Sequence, residues 1–285
     1  MLMASLRKLL KAPTPADLAA IDPRSTPGLP KAGRKADPKA WSAAELARLG
    51  TELAGLQERL YAATRSGDDR RRLLIVLQAM DAGGKDGLVR HVGGVFNPLG
   101  LEVTSFKAPT KEELGHHFLW RIRRRLPEPG HVGIFNRSHY EDVLIVRVHD
   151  LVPEDEWRKR YEEINAFERE LVDDGVILVK IMLHISPEEQ LDRLRERLED
   201  PTKYWKYNPG DVDERARWDD YRAAYEEALT RCAEAAPWYV VPADRKWYRN
   251  WAVASLLVEI LSAENPAYPP PGFDVAAEKK RLLEG

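Results

Sequence analysis

The chain has 285 residues, 44% of them hydrophobic and 32% charged, and its 44 Lys and Arg against 46 Asp and Glu leave a formal net charge of −2. That length buries a sizeable core in one large α/β domain with extensions, or in two small ones, and no apolar run approaches the roughly 20 residues of a membrane span. A near-neutral chain does not draw in polyanions as a whole, so no nucleic-acid or membrane partner is expected, and an anionic substrate needs cations gathered locally.

Taken in chain order, residues 1–39 are rich in Pro, Ala and charge and read as an extended arm that wraps the body or a neighbouring subunit. The opening MLMASLRKLLKAPTPADLAAID has two short apolar clusters broken by charge and proline, without a signal-peptide core or cleavage site. A cytoplasmic protein is therefore expected. Ser42 with Glu45 has the pattern of a capping box, and Leu46, Leu49, Leu53, Leu56 and Leu60 follow three and four apart as one apolar helix stripe. Packing on the domain or on a second subunit is the expected use of that stripe, which favours a homo-oligomer.

From Arg72 onward strands and helices alternate. Strands are expected at 73–80, 101–106, 131–135, 176–185 and 238–241. This order predicts a mostly parallel sheet covered on both faces, with ligands at the carboxyl ends of its strands. Arg121, Arg123, Arg124 and Arg125 close a helix before the third strand, where cations suit a helix C-terminus; a long anion could also cross them. His116 and His117 fall in that same expected helix without metal-ligand spacing. Cys232, the single cysteine, reads as a helix-packed bystander, and no Cys/His set has structural-zinc spacing.

Three segments have the composition of a site. LLIVLQAMDAGGKDGLVR, residues 73–90, is an apolar strand, a short glycine loop ending in lysine, and a helical pattern. Loop amides point at phosphate oxygens and Lys85 adds a point charge. The loop departs from G-x-x-x-x-G-K-[ST] at Ala79, at Asp86, and above all at Asp81, which puts a carboxylate inside a cradle for anions. A cation bridge or a proton-handling role makes that tolerable, so Asp81 reads as a working group. FNRSHYED, residues 135–142, follows the third strand and holds Asn136 and Arg137, with Glu141 and Asp142 shortly after. Arg137 can clamp phosphate; Asn136, Ser138 and Asp142 can also cap the next helix. The third segment, 193–221, is a helix broken at Pro201, a basic and aromatic stretch, a second break at Pro209-Gly210 and a second helix. That pattern is a lid able to bring Arg193, Arg197 and Lys203 over bound phosphates, although i,i+4 pairing explains many of its charges.

The loop AMDAGGKDG, the segment FNRSHYEDVLIVRVH and the lid DPTKYWKYNPGDVDERARWDDY resemble, in order, the motifs of the polyphosphate kinase 2 family, with similarity from about Arg72 to Tyr268. The resemblance implies an α/β, P-loop kinase-like fold: three layers, a five-stranded mostly parallel sheet and a helical lid at about 193–221. The kinase domain then spans 40–268, and 269–285 form a tail. It also implies reversible transfer of a phosphoryl group between inorganic polyphosphate and AMP or ADP, with Mg²⁺. By motif match the catalytic residues are Asp81, Lys85, Arg137 and Arg197. Ala82, Gly83, Gly84, Asp86, Gly87, Asn136, Arg193 and Lys203 bind phosphate or nucleotide. Asp81 is the Mg²⁺ ligand, with Glu141 or Asp142 as a partner. Many members have Asp where Asn136 stands, and FNRSHYED is similar to the branch that accepts AMP as well as ADP. The competing readings are an ATP-dependent nucleoside or nucleotide kinase and a non-catalytic polyphosphate or nucleotide sensor.

Overall fold

A computed structural model describes residues 5–35, 37–65 and 69–284; the outermost ends of the expected arm and tail, residues 1–4 and 285, lie outside it. Five strands, β1 (Arg72–Ala79), β2 (Leu101–Ser105), β3 (Val132–Asn136), β4 (Val176–His184) and β5 (Trp238–Pro242), form one sheet in the order β2-β3-β1-β4-β5, every pair parallel. β1 lies at the centre and is buried along its whole length. Its run of Leu, Ile and Val is what a strand covered on both faces requires.

The longer helices are α1 (Pro38–Thr64), α2 (Lys85–His91), α3 (Glu154–Asp173), α4 (Pro187–Glu199), α5 (Gly210–Ala216), α6 (Trp218–Arg231), α7 (Lys246–Glu264) and α8 (Val275–Glu284). Leu49, Leu53, Leu56 and Leu60 of α1 are buried and α1 packs along α7. The stripe therefore faces the protein's own body. The expected capping box does not form: Asp37 caps α1 from in front of Pro38, and Ser42 is buried inside the helix, its hydroxyl donating to the Trp247 carbonyl at 2.8 Å. Proline at the first helical position lets the helix start a turn earlier than Ser42 suggested. Ser186 does cap α4, accepting from the Glu189 amide. The single helix expected before β3 is two short ones, Lys111–Leu114 and Trp120–Arg123, with His116 and His117 in the connection.

The N-terminal arm lies on the body. Leu6, Leu10, Leu18 and Leu29 are buried, and Lys11 bridges Tyr239 in the antiparallel sense. The arm thus covers the outer edge of β5, where unpaired backbone groups would otherwise face solvent. No helix among the described residues is long and apolar enough to cross a membrane.

Beneath the sheet's carboxyl edge lies a fully buried polar group. Lys180 of β4 donates to Glu168 at 2.5 Å, to the Tyr140 hydroxyl at 3.2 Å and to the Cys232 carbonyl at 2.7 Å, while Tyr140 donates to Glu168 at 2.7 Å. Burial alone would push the Glu168 carboxyl up, but Lys180 and His139 outweigh it and hold Glu168 below the usual carboxylate range. A depressed carboxyl contributes stability that is present above its unfolded value and is lost as pH falls through the folded one. Glu168→Gln should therefore lower unfolding free energy by about 3–5 kcal/mol near neutrality, because it strands a buried ammonium. Urea denaturation measures this, and adding Lys180→Met to that variant should recover most of the loss; no recovery would mean that the pair is not the cause.

Candidate active site

β1 ends mid-sheet at Ala79, and the chain turns through residues 80–84 before α2 begins at Lys85. The turn takes left-handed backbone at Ala82 (φ 57°) and Gly84 (φ 97°). Gly83 leaves no room for a side chain, since a Cβ would lie 2.5 Å from the Ala79 Cβ and 2.7 Å from the Met80 oxygen. Its amide closes the turn onto the Met80 carbonyl at 2.9 Å. The amides of Lys85, Asp86 and Gly87 start a helix and have no intrahelical acceptor.

Lys85 folds back over this turn and its Nζ donates to the Ala79 carbonyl at 2.9 Å. Burial, and after it the charge of Arg137, lowers the pKa of Lys85 despite the pull of Asp81, Glu141 and Asp86. Arg137 follows β3 in a left-handed conformation (φ 63°), and its guanidinium donates to Asp81 Oδ1 at 2.8 Å with Glu141 Oε2 3.7 Å away. Burial works against the charge on Arg137, but Glu141 and then Asp81 outweigh it and the pKa rises. Asn136 donates to Asp86 Oδ1 at 2.7 Å, so it ties the end of β3 to the start of α2 and caps nothing. Ser138 is the residue that caps the following turn of 3₁₀-helix, His139–Val143.

Two cavities meet at Asp81 and Arg137. The larger, about 730 Å³, is lined by the loop, the segment from the end of β2 at Ser105 to Lys107, and the lid cations Arg197, Lys203 and Lys206. The smaller, about 190 Å³, has apolar and aromatic walls from Leu144, Ile145, Trp218, Tyr221 and Tyr225. The lid expected at 193–221 comprises the second half of α4, a 3₁₀ turn (Pro201–Lys206), α5 and the start of α6. Two of its cations are paired within it: Arg197 with Asp211 at 2.9 Å, and Lys203 with Glu196 at 2.6 Å and Asp200 at 2.9 Å. Arg193 is buried deeper and reaches the Ala82 carbonyl at 3.0 Å, the Ala243 carbonyl at 2.5 Å and Glu189 at 2.8 Å. Its donors therefore hold backbone beside the loop.

One expected ligand is misplaced. Asp142 lines neither cavity; its carboxylate accepts from Arg160 at 3.1 Å and lies 3.9 Å from Arg121. Neighbours in a 3₁₀ turn project about 120° apart, so Glu141 faces the smaller cavity while Asp142 faces α3. The basic cluster before β3 also turns away: Arg121 donates to the Lys107 carbonyl and Arg123 to Glu170.

The model for Polyphosphate kinase 2 (PPK2) matches residues 37–269. The chain belongs to the polyphosphate kinase 2 family. It is 50% identical over 235 residues to the AMP/ADP-polyphosphate phosphotransferase of Meiothermus ruber, covering 82% of this chain and 85% of that one. It is 43% identical over 254 residues to the ADP-polyphosphate phosphotransferase of Rhodopseudomonas palustris, covering 84% and 85%. The crystal structure of Polyphosphate Kinase 2 from Arthrobacter aurescens TC1 superposes with a TM-score of 0.94 at 46% identity over 100% of this chain and 99% of that one. The chain is thus a kinase with a P-loop kinase-like fold, and such phosphotransferases generally need a divalent metal.

Several residues at this polyphosphate kinase 2 site escaped the sequence reading: Gln190, Lys206, Asn208, Lys246, Arg249 and Asn250. Lys246, Arg249 and Asn250 follow the carboxyl end of β5, where ligand-binding residues gather in parallel sheets. That rule, applied to the last strand, was the available signal.

Lys85 generates a prediction. A lysine with a depressed pKa keeps its charge below that value and loses it as pH rises through it. The alkaline limb of kcat/KM should fall below the ordinary lysine value of about 10.4, and the limb of kcat should lie higher because bound phosphates favour the ammonium. Steady-state pH profiles measure both, and a kcat/KM that stays flat through the ordinary lysine value would remove Lys85 from this role.

Proposed function

We propose that the chain transfers the terminal phosphoryl group of inorganic polyphosphate to AMP or ADP, giving ADP or ATP, and runs the reverse reaction with the same groups. The observation that carries this reading is the pair Asp81–Arg137 standing between two unlike cavities, a long cleft lined by cations and a short pocket walled by aromatic rings. The cleft suits a flexible chain of phosphates without a flat ring. The pocket suits a nucleoside whose phosphates emerge beside Asp81. The names of the relatives support the same pair of substrates.

Phosphoryl transfer asks for alignment and for neutralisation of charge spread over the transferring group. In this reading Lys85, Arg137 and the amides of Ala82, Gly84, Asp86 and Gly87 hold phosphates at the junction of the cavities, while Gly83, its amide held by Met80, gives them room to approach. Arg197 and Lys203 exchange their carboxylate partners for substrate as the lid closes. Asn136 keeps Asp86 oriented without adding a further negative charge. Among the described residues no group of three or more His, Cys, Asp or Glu forms a cage for a metal. A site built from Asp81, with Glu141 near, fits Mg²⁺, which typically takes one or two carboxylates, keeps waters and uses substrate phosphates. When bound, Mg²⁺ supplies positive charge to the phosphoryl oxygens. We further propose that 40–268 is the catalytic unit, with 1–39 an arm and 269–285 a tail, and that the protein is cytoplasmic and homo-oligomeric; exposed Leu99, Val103 and Leu114 supply apolar surface outside the cleft.

Incubation with ADP or AMP, Mg²⁺ and polyphosphate as sole donor should yield ATP or ADP. Brisk phosphorylation of another acceptor from ATP, with no polyphosphate-driven product, would favour an ordinary nucleotide kinase; tight binding without turnover would favour a sensor. Lys85→Ala should lower kcat by at least about 100-fold with unchanged thermal unfolding, since it removes a donor at the transferring group. Tyr221→Ala should raise KM for the nucleotide roughly 5- to 100-fold, the scale of one lost base–aromatic stack, while KM for polyphosphate changes little.

A further inference from the structure

The backbone carbonyls of the phosphate loop are held by side chains, three of them from elsewhere in the fold. Lys85 takes that of Ala79 at 2.9 Å, Gln190 that of Asp81 at 2.9 Å, Arg193 that of Ala82 at 3.0 Å and Arg249 that of Gly84 at 3.0 Å. A carbonyl oxygen turned toward the cleft would repel a phosphate. In a planar trans peptide the C=O and N–H point in opposite directions, so fixing the carbonyls of Asp81 and Gly84 also fixes the amides of Ala82 and Lys85.

Arg249 stands out among these holders. Its guanidinium is buried, at 2% exposure, and turns its edge to the loop: a Cβ on Gly84 would lie 2.1 Å from its Nη1, and one on Gly87 3.2 Å from its Nη2. The two glycines are thus the space the guanidinium occupies. Its other hydrogen bonds, at 3.1 and 2.8 Å, go to the side-chain oxygen of Asn250, and among the described residues no carboxylate forms a salt bridge with it. Burial, and after it the nearby Arg193 guanidinium, depresses Arg249 to about 10. A buried cation with neutral partners costs several kcal/mol to keep, so it is poorly explained by stability.

We propose that Arg249 is a positioning residue for phosphate binding: with Arg193 and Gln190 it fixes the carbonyls of the loop, and its unneutralised charge is completed by the phosphates that enter the cleft. This rests on the reading of the cleft as a polyphosphate site. Gln190 and Arg193 sit on α4, whose far end carries Arg197, so the loop and the lid share one rigid helix.

The test uses the full chain, with inorganic tripolyphosphate as the probe in calorimetry, beside thermal unfolding and polyphosphate-driven turnover. Arg249→Met should leave Tm equal to or above that of the unmodified protein, because it removes a buried unpaired charge, yet weaken tripolyphosphate at least tenfold. Arg249→Lys restores charge without the planar fork and should fall between the two. Arg249→Met binding within twofold of the unmodified protein would overturn the proposal, as would a loss of affinity matched by a falling Tm. Should Arg249→Met fail to fold, Arg249→Lys decides alone: binding within twofold overturns the proposal, and a loss of threefold or more with Tm intact supports it. Absence of turnover by the unmodified protein, with tripolyphosphate still bound in the arginine-dependent way, would sink the assigned reaction and leave this inference standing.

Discussion

A carboxylate in an anion-binding loop is the constraint around which this site is built. On the proposed reading Asp81 sits where phosphates come, and like charges at contact distance repel strongly in a partly desolvated cleft. The fold answers with Arg137, 2.8 Å away, presented by a strained left-handed residue at the end of the neighbouring strand. Glu141 and then Asp81 outweigh burial and keep that guanidinium charged. The same pair divides the long cationic cleft from the aromatic pocket, so on the proposed reading the electrostatic compensation and the separation of two substrates come from one contact.

The same logic extends outward. A protein of net charge −2 cannot hold a long polyanion by its overall field, and the lid cations Arg197 and Lys203 are each matched to an acid in the free protein. In the proposed reaction substrate phosphates compete with Asp211, Glu196 and Asp200 for groups already in place, an exchange of partners that leaves few of these charges bare. Asp211 carries the mark of this arrangement: burial, and after it the nearness of Asp81, raises its pKa against the pull of Arg197. Arg249 differs because its neighbours are neutral, which is why its charge points to a ligand.

Rigidity below the site matters as much as charge at it. Lys180, Glu168, Tyr140 and the Cys232 carbonyl knit β4, α3 and the 3₁₀ turn after β3 into a buried network. That turn follows directly from Arg137 and carries Glu141. Holding it from beneath fixes the geometry of both without placing any further group in the cleft.

Much of this was legible in the chain itself. The five strands fall within a residue or two of the expected runs; β1, β3, β4 and β5 are legible because a buried strand has a composition no surface segment shares, whereas β2 is a half-exposed edge strand. The loop was marked by its glycines and Lys85, and the lid by its two proline breaks. Local pattern misled at Ser42, where Pro38 started the helix earlier, and at Asp142, where a 3₁₀ turn separated neighbours that read as equivalent. Sequence alone thus determined the elements, their parallel order and the charged residues at their ends, since these follow from hydrophobic period and turn chemistry. Tertiary structure decided which charges meet: that Arg193 and Arg249 hold the loop from helices more than a hundred residues away, that Arg137 pairs with Asp81, and that the leucine stripe faces inward. Such pairings depend on where the sheet places distant segments, and no local spacing encodes that distance.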